Sequence, residues 1–221
     1  MHPIRRQILS NLILARELPF SKLKPQDIES NIFMYHLKLL ISEGLVKKHV
    51  SKKYALTNEG IRLAGGLSWK TFDTRIQPRI VTMIICKNSK GQLLLFKSKR
   101  QPALDLVGFP FGKLHLGESV KSAALRELEE KAGINADLLH KGDVYLTLMD
   151  GDEVLSQMLV HLFFGKKTNG EIVHTSEPWE VFWGNVPRVA KAEKAPWFDD
   201  VYELFKKPPK GFIFREFTYK I

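Results

Sequence analysis

The stretch GKLHLGESVKSAALRELEEKAGI, residues 112–134, decides the fold of the larger part of this chain. Residues 119–132 have a helical pattern, and Glu127 and Glu130 lie three residues apart within it. Position 131 shares their face, because residues at i, i+3 and i+4 are neighbours on a helix surface. Carboxylates at this spacing can converge on one Mg²⁺ or Mn²⁺ ion, since hard cations prefer oxygen ligands. Position 131, however, is a lysine.

The same stretch resembles the Nudix box. That signature has a glycine, five residues, a glutamate, seven residues and then Arg-Glu-aliphatic-any-Glu-Glu-any-Gly-aliphatic. Eight of its nine defined positions match, and only Lys131 departs from the pattern. Because the spacing on both sides of Lys131 is unchanged, the lysine is a replacement and not a shift of register. The matching residues are Gly112, Glu118, Arg126, Glu127, Leu128, Glu130, Gly133 and Ile134.

The resemblance implies hydrolysis of a diphosphate link with the help of Mg²⁺ or Mn²⁺. It implies Glu118, Glu127 and Glu130 as metal ligands, and Glu127 and Glu130 as catalytic residues. Arg126 joins the catalytic set as the partner that orients these glutamates. The candidate ligand-binding residues are Gly112, Lys113 and Lys131.

Lysine at position 131 leaves three arrangements open. In the first, Glu118, Glu127 and Glu130 still hold one Mg²⁺, substrate phosphates help, and slow hydrolysis survives. In the second, the Lys131 ammonium pairs with Glu127, four residues earlier on the helix, which is the favourable orientation. The site would then bind a nucleotide diphosphate by charge and activate water poorly. In the third, Lys131 extends into solvent and ligand binding is weak.

Basic residues are concentrated in the first third of the chain. The 221 residues have a net formal charge of +10, and residues 1–70 contribute +7, from 12 Lys and Arg against 5 Asp and Glu. This asymmetry favours a polyanionic partner, because each phosphate that a basic side chain neutralises releases counterions. A basic solubilising surface is the alternative that charge alone leaves open.

The first third has the pattern helix, helix, helix, β-hairpin, helix. Apolar residues at helical spacing predict a third helix that has Ser30 or Asn31 as its N-cap and stops at Gly44. A lysine-rich hairpin follows it. The segment MYHLKLLISEGLVKKHVSKKYALTNEG, residues 34–60, resembles the winged helix-turn-helix domains of small bacterial transcription regulators.

That second resemblance covers about residues 3–67 and implies binding of double-stranded DNA. Such domains insert one helix into the major groove and contact phosphates nearby. Winged helices also serve as protein-protein and dimerisation modules, so this alternative stays open. The candidates are Ser30, Asn31, Tyr35 and Lys38 for base edges, and Lys47, Lys48, Lys52 and Lys53 for phosphates.

Beyond residue 78 strand and helix patterns alternate, which predicts a mixed sheet with helices packed on it. Strands are expected at 80–86 and 92–97, and a hairpin turn is expected at Asp150-Gly151. The segment GFIFREFTY, residues 211–219, is interpreted as a last strand or a dimer contact. Both readings stay open.

Side chains late in the chain are weaker candidates for the site. Trp179, Phe182 and Trp183 have the chemistry to stack on a base, although aromatic residues of an alternating strand more often belong to a core. Glu177 is a possible further acidic group near the pocket. A single loop glutamate is a weak signal, so Glu177 is left out of the catalytic set.

The expected fold class is α+β. The chain is expected to have a winged helix-turn-helix domain at 1–67, a linker at 68–78 and a Nudix α/β/α sandwich with a mixed sheet at 79–221. The only cysteine, Cys86, excludes an intramolecular disulfide and a cysteine-rich metal cluster. No apolar run reaches the roughly 20 residues of a membrane span. We therefore expect a cytoplasmic protein without a membrane partner.

Two functions are compatible with these patterns. The favoured one is a transcription regulator, expected to be a homodimer, whose Nudix domain binds and at most slowly hydrolyses a nucleoside diphosphate linked to another moiety. The alternative is an active, metal-dependent Nudix pyrophosphohydrolase with the winged helix as an accessory or dimerisation module. An RNA-end processing enzyme is a weaker third possibility, because the first third most resembles DNA readers.

Overall fold

The computed structural model describes residues 1–68, 71–74, 76–101, 103–172 and 178–220. The chain divides into two units, Met1–Ile76 and Gln77–Ile221. The expected linker at 68–78 spans this boundary, and residues 69, 70 and 75 lie outside the described ranges. Within those ranges, no helix has the length and hydropathy that crossing a membrane requires.

The first unit packs helices against a small antiparallel sheet. In this sheet β3 lies between β1 and β2 and pairs with both. The core joins Ile8 and Leu12 of the first helix to Phe33 and Leu37 of the third. The described elements are α1 (Pro3–Ile13), β1 (Leu18–Pro19), α2 (Phe20–Leu23), α3 (Ser30–Ser42), β2 (Val46–Lys48), β3 (Lys53–Leu56) and α4 (Asn58–Gly65).

Helix α3 ends where the sequence predicts. The N–H of Leu45 donates a hydrogen bond of 2.9 Å to the carbonyl of Leu40, and Gly44 has a φ of +72°. This left-handed residue after the helix favours glycine, so the predicted stop at Gly44 is confirmed. The predicted N-cap is wrong by one residue, because the helix begins at Ser30 and Glu29 occupies the cap position.

The second unit contains a mixed sheet with the strand order β11-β8-β9-β4-β7 and a smaller antiparallel sheet with the order β10-β5-β6. In the larger sheet β4 is parallel to β9, β11 is parallel to β8, and the other pairs are antiparallel. The expected mixed sheet is thus confirmed. The described elements are β4 (Arg79–Cys86), β5 (Leu93–Ser98), β6 (Val107–Gly108), β7 (Phe111–Lys113), α5 (Val120–Ala132), β8 (Asn135–Asp150), β9 (Glu153–Asn169), β10 (Trp179–Gly184), α6 (Phe198–Lys206) and β11 (Ile213–Lys220), with 3-10 turns at Val186–Arg188 and Lys191–Glu193.

The larger sheet has a core on each face. Alternate residues of a strand point to opposite sides, and Val81 and Met83 of β4 enter the core to which α6 contributes. Ile84 and Cys86 enter the core to which α5 contributes. Burial raises the pKa of the Cys86 thiol to about 12.

Helix α5 holds the central part of the box. Ser119 caps its N-terminus by accepting a hydrogen bond from the N–H of Ser122, and Gly133 ends it with a φ of +64°. Ala124 and Leu128 face the core. The glutamates and Lys131 are therefore presented beside β7, the strand that contains Gly112.

Strand β8 contains a β-bulge that glycine makes possible. The register passes from His140 opposite Phe163 directly to Gly142, which leaves Lys141 outside the ladder. Gly142 has a φ of +148°, and a Cβ built on it would lie 2.1 Å from the carbonyl oxygen of Ile213. Any other residue would separate β8 from β11.

The segment interpreted as a last strand or a dimer contact is strand β11 in the structure. It pairs in parallel with β8, from Ile213 opposite Gly142 to Lys220 opposite Met149. The hydroxyl of Tyr219 donates a hydrogen bond of 2.7 Å to Asp200 of α6. The last strand is therefore joined both to the sheet and to a helix.

Gly142→Ala is expected to destabilise the second unit more than Gly151→Ala. Both glycines have positive φ, so both alanines incur backbone strain. A Cβ at Gly151 meets open space, whereas at Gly142 it collides with the backbone of Ile213. We expect a further loss of about 2 kcal/mol in the free energy of unfolding, measured by urea denaturation with tryptophan fluorescence. Equal losses would contradict the described register of β11.

Candidate functional site

A cavity of about 480 Å³ lies beside strand β7 and helix α5. Its volume is typical of small-molecule binding sites. Its wall combines residues of the box with basic and aromatic side chains from other strands. The residues on which the following description depends are Arg79, Phe96, Arg100, Phe111, Gly112, Lys113, Arg126, Glu127, Glu130, Lys131, Trp179, Trp197 and Tyr219.

Glu127 is the buried carboxylate of this site. It is 6% exposed and lies directly over Gly112, where a built Cβ would be 1.7 Å from the Glu127 carboxyl carbon. The box glycine is thus required for space, because any side chain at position 112 would displace the carboxylate. A buried charge is costly unless it is paired, and both oxygens of Glu127 have cationic partners.

Arg126 connects the three glutamates of the box. Its guanidinium donates two hydrogen bonds to Glu118, of 3.0 and 2.7 Å, one of 2.8 Å to Glu127 and one of 3.2 Å to Glu130. It also donates one of 3.0 Å to the carbonyl of Lys113. The hydrogen bonds from Arg126 lower the pKa of Glu118 to about 2. Arg126 therefore holds the three carboxylates close together.

Lys131 is held inside the site. Its side chain is 12% exposed, and its ammonium lies 3.1 Å from Oε2 of Glu127. The ammonium also donates a hydrogen bond to the carbonyl of Phe111. Burial lowers the pKa of Lys131, and the attraction of Glu127 opposes this effect. Of the three arrangements that the sequence left open, this is the second.

Three aromatic rings surround the Lys131 ammonium. Its nitrogen lies 5.1 Å from the ring centroid of Phe96 and 5.2 Å from those of Phe111 and Trp179. These distances permit cation–π attraction, which is strongest where water is excluded. The rings and Glu127 together fix the charge of Lys131 at one place in the wall of the cavity.

The cavity carries more basic than acidic groups. Five Lys and Arg side chains line it against two carboxylates, a net formal charge of +3 among the described lining residues. Arg79 and Arg100 come from outside the box, and Arg79 donates a hydrogen bond of 2.7 Å to Ser156. A concave site of this charge attracts anionic ligands.

Comparison with known proteins identifies the family. The model of the NUDIX domain matches residues 77–205. The chain belongs to the Nudix family. An uncharacterized Nudix hydrolase of Bacillus subtilis, YvcI, is 30% identical to it over 113 residues, which are 50% of this chain and 70% of that protein.

Two further proteins are similar to this Nudix protein. A second Bacillus subtilis protein, whose name proposes 8-oxo-dGTP diphosphatase activity, is 41% identical over 88 residues, which are 40% of this chain and 53% of that protein. The chain thus spans about half the length of this relative. The crystal structure of a mutator MutT protein from Bacillus halodurans has a TM-score of 0.52 at 22% identity, and the match covers 64% of this chain and 90% of that one. This structural likeness shows a shared fold.

The carboxylates of this Nudix site do not fit the magnesium site that the box implies. Glu118 directs both oxygens to Arg126 and is not among the residues that line the cavity. Glu127 is bound by two cations, and the partly engaged Glu130 has an exposed side chain. A divalent ion here would lie close to the fixed charges of Arg126 and Lys131, which repel it.

The three late aromatic candidates have different surroundings in the structure. Trp179 lines the cavity, whereas Phe182 and Trp183 pack against the two cores. Glu177 lies outside the described residues. No local pattern marks the remaining cavity residues, because their roles come from strand pairing far along the chain. The residues that the sequence did not identify are Arg79, Phe96, Arg100, Trp197 and Tyr219.

The base-edge candidates of the first unit lie together on α3. Ser30, Asn31, Tyr35 and Lys38 are all exposed, and Tyr35 is 59% exposed. The opposite face of α3 carries the buried Phe33 and packs in the core. The helix therefore exposes these side chains to solvent, together with Ile32, which is 47% exposed.

The phosphate-contact candidates lie on the hairpin. Lys47 and Lys48 belong to β2 and Lys52 to the turn, and all three are exposed. Lys53 differs, because its ammonium lies 2.6 Å from a carboxylate oxygen of Glu17. Lys53 is thus the least available of the four lysines.

Glu118→Gln is expected to flatten the acid dependence of stability. Arg126 lowers the pKa of Glu118 from 4.5 to about 2, so the stabilisation is complete above pH 4.5 and is lost as the pH falls towards 2. Chemical denaturation at stepped pH should show a steeper loss for wild type across this window. Glu180→Gln, which changes an exposed glutamate of β10, is the control. The same slope in wild type and Glu118→Gln would argue against the Arg126 pair.

Proposed function

We propose that this Nudix protein is a DNA-binding transcription regulator whose second unit binds a nucleoside diphosphate linked to another moiety and hydrolyses it slowly or not at all. The observation that carries the proposal is the position of Lys131. Its ammonium occupies the place where the box has a metal-ligating glutamate, and it pairs with Glu127 at 3.1 Å. A fixed cation thus replaces a carboxylate.

The cavity supports the choice of ligand class. Its net formal charge of +3 attracts the negative charge of two linked phosphoryl groups. Lys113 and Arg100 line the same cavity as Lys131 and can neutralise phosphate oxygens. Trp179, Trp197 and Tyr219 offer flat apolar surfaces for a base or sugar. A cavity of about 480 Å³ has room for such a ligand.

Slow turnover follows from the same geometry. Hydrolysis of a diphosphate requires an attacking water with a lowered pKa, a task that a bound metal ion performs in such sites. The Lys131 ammonium has three protons, and Glu127 and the carbonyl of Phe111 engage two of them. The third can bind a phosphate oxygen, but an ammonium does not lower the pKa of a water as a metal ion does. The site therefore supplies attraction without a strong nucleophile.

The first unit supports DNA as the second partner. Three helices precede the β2–β3 hairpin, and β1 completes a sheet with the order β1-β3-β2, an arrangement compatible with a winged helix-turn-helix. Helix α3 would enter the major groove with Asn31 and Tyr35 on its exposed face. The lysines of the hairpin would contact phosphates. Ligand binding would change DNA affinity by biasing one of two states, and we expect a homodimer on two half-sites.

An active hydrolase is the second candidate. The names of the two Bacillus subtilis relatives favour it, and the glutamates at positions 118, 127 and 130 are all present. In that case the first unit would be an accessory or dimerisation module. Measured turnover of 8-oxo-dGTP or a nucleotide sugar separates this candidate from the regulator.

Lys131→Glu is expected to turn a protein that binds its ligand into one that also hydrolyses it. In wild type, a nucleotide sugar, dinucleotide or nucleoside triphosphate from a screened set should raise the melting temperature without added Mg²⁺. In Lys131→Glu the restored carboxylate should make binding depend on Mg²⁺ and raise turnover at least about tenfold, a difference of roughly 1.4 kcal/mol in the barrier. Calorimetry measures the binding, and chromatography of the nucleoside monophosphate product measures the turnover.

Lys131→Met is the matched control, since it removes the ammonium without adding a carboxylate. It should bind the same ligand about tenfold more weakly and gain no turnover, because Glu127 keeps Arg126 as a partner. Wild type that turns over as fast as Lys131→Glu would contradict the proposal. Mg²⁺-dependent binding to wild type would contradict it as well.

Removing hairpin lysines is expected to reduce the salt dependence of DNA binding. Lys47→Ala combined with Lys52→Ala should lower the slope of log affinity against log salt by about 1.8, if each lysine neutralises one phosphate. Fluorescence anisotropy with a short duplex at stepped salt measures this slope. Lys90→Ala with Lys207→Ala removes the same charge from exposed positions of the second unit. Equal slopes for the two double variants would contradict phosphate contacts by the hairpin.

A further inference from the structure

Three metal-ligating side chains meet on the β8–β9 hairpin, away from the residues that line the nucleotide cavity. Nδ1 of His161 lies 2.7 Å from Oδ1 of Asp143, and Nε2 of His140 lies 3.0 Å from the same oxygen. All three atoms are within 4.8 Å of one another. The nucleotide proposal makes no use of this cluster.

The bulge in β8 creates the cluster. In a regular strand, residues three apart point to opposite faces, so His140 and Asp143 would be on different sides of the sheet. Because Lys141 is excluded from the ladder, His140 pairs with Phe163 and Asp143 pairs with His161, and all four share one face. Bulges re-aim side chains in this way and are frequent near functional sites. Gly142 makes the bulge possible, because a Cβ at this position would collide with the backbone of Ile213.

We propose that His140, Asp143 and His161 form a binding site for a divalent transition-metal ion, with Zn²⁺ as the best match. Two imidazoles and one carboxylate are a ligand set that such ions favour over Mg²⁺ or Ca²⁺. Three protein ligands leave a further position for water. The His140 side chain is 35% exposed, which gives an ion access from solvent.

The two separations that involve Asp143 need little adjustment. Zn²⁺ ligands lie about 2.0–2.1 Å from the ion, so tetrahedral ligand atoms are separated by roughly 3.3 Å. The separations of 2.7 and 3.0 Å from Asp143 need only a few tenths of an ångström of expansion. The planes of the two imidazoles are inclined by 72°, and His140 is stacked on Phe163 with a centroid distance of 4.9 Å. The strands and this stacking hold the ligands in place.

Thr82 is a second observation beside the cluster. It pairs with His161 in the register of β4 and β9, is fully buried, and its hydroxyl has no hydrogen-bond partner in the part of the chain that the structure describes. Histidines that bind a metal donate their other N–H to a nearby acceptor. Thr82 lies one strand away from His161, and its unpartnered hydroxyl oxygen is the acceptor that we assign to the other N–H of His161 when an ion is bound.

The test uses ZnCl₂ alone with the full, untagged chain. Calorimetry should show one bound Zn²⁺, and the melting temperature should rise as Zn²⁺ is added because the ion binds the folded state. His140→Asn should weaken Zn²⁺ affinity more than about 100-fold, beyond the effect of losing a supporting residue. Asp143→Asn should do the same, and the melting temperature of each variant without metal shows whether it is folded. His49→Asn, which changes an exposed histidine of the first unit, should bind as wild type.

Co²⁺ in place of Zn²⁺ gives a readout that needs no variant, because its visible absorption reports nitrogen and oxygen ligands in a low-coordinate site. Absence of a bound ion in wild type would overturn the proposal. Retention of wild-type affinity in both His140→Asn and Asp143→Asn would overturn it too. Neither result bears on the nucleotide cavity, whose ligand screen is independent.

Discussion

The buried carboxylate of Glu127 is the constraint around which the second unit is arranged. A charge that is 6% exposed requires compensation, and removal of one partner from a buried ion pair costs several kcal/mol. Arg126 and Lys131 each take one of its oxygens. Gly112 leaves the space in which the carboxylate lies. Residues of the box in this chain therefore compensate one buried charge and leave space for it.

The substitution at position 131 changes the chemistry of the site without disturbing its framework. Helix α5 keeps its serine cap and its left-handed glycine end, and Arg126 keeps its hydrogen bonds to three glutamates. Lysine adds a cation where the box has a carboxylate, so the charge of the cavity becomes more positive. One substitution can thus change the charge of a site while the fold is retained.

Local patterns predicted much of this structure. The box spacing correctly placed α5 and its ending at Gly133. The pairing of Glu127 with Lys131 was one of three arrangements that the sequence left open, and it uses the i and i+4 contact that helix geometry provides. Gly44 likewise marked the end of α3. The positions of Arg79 and Arg100 in the cavity depend on strand order, which no local pattern encodes.

Other features escaped prediction for the same physical reason. The bulge at Lys141 depends on the approach of Ile213, some seventy residues later, to Gly142. The box spacing also gave no sign that Glu118 would direct both oxygens to Arg126. The sequence thus indicated which groups are present, and tertiary packing determined which of them are free to meet a ligand.

Strand β11 lies beyond residue 205, where the match to the family model ends, yet its Tyr219 forms part of the cavity wall. The hydrogen bond to Asp200 keeps that ring in place. Under the proposed function, the groups that would select the ligand and those that would react with it therefore lie in separate parts of the chain. Substitutions in β11 would then change which molecule binds, whereas substitutions in α5 would change whether it is hydrolysed.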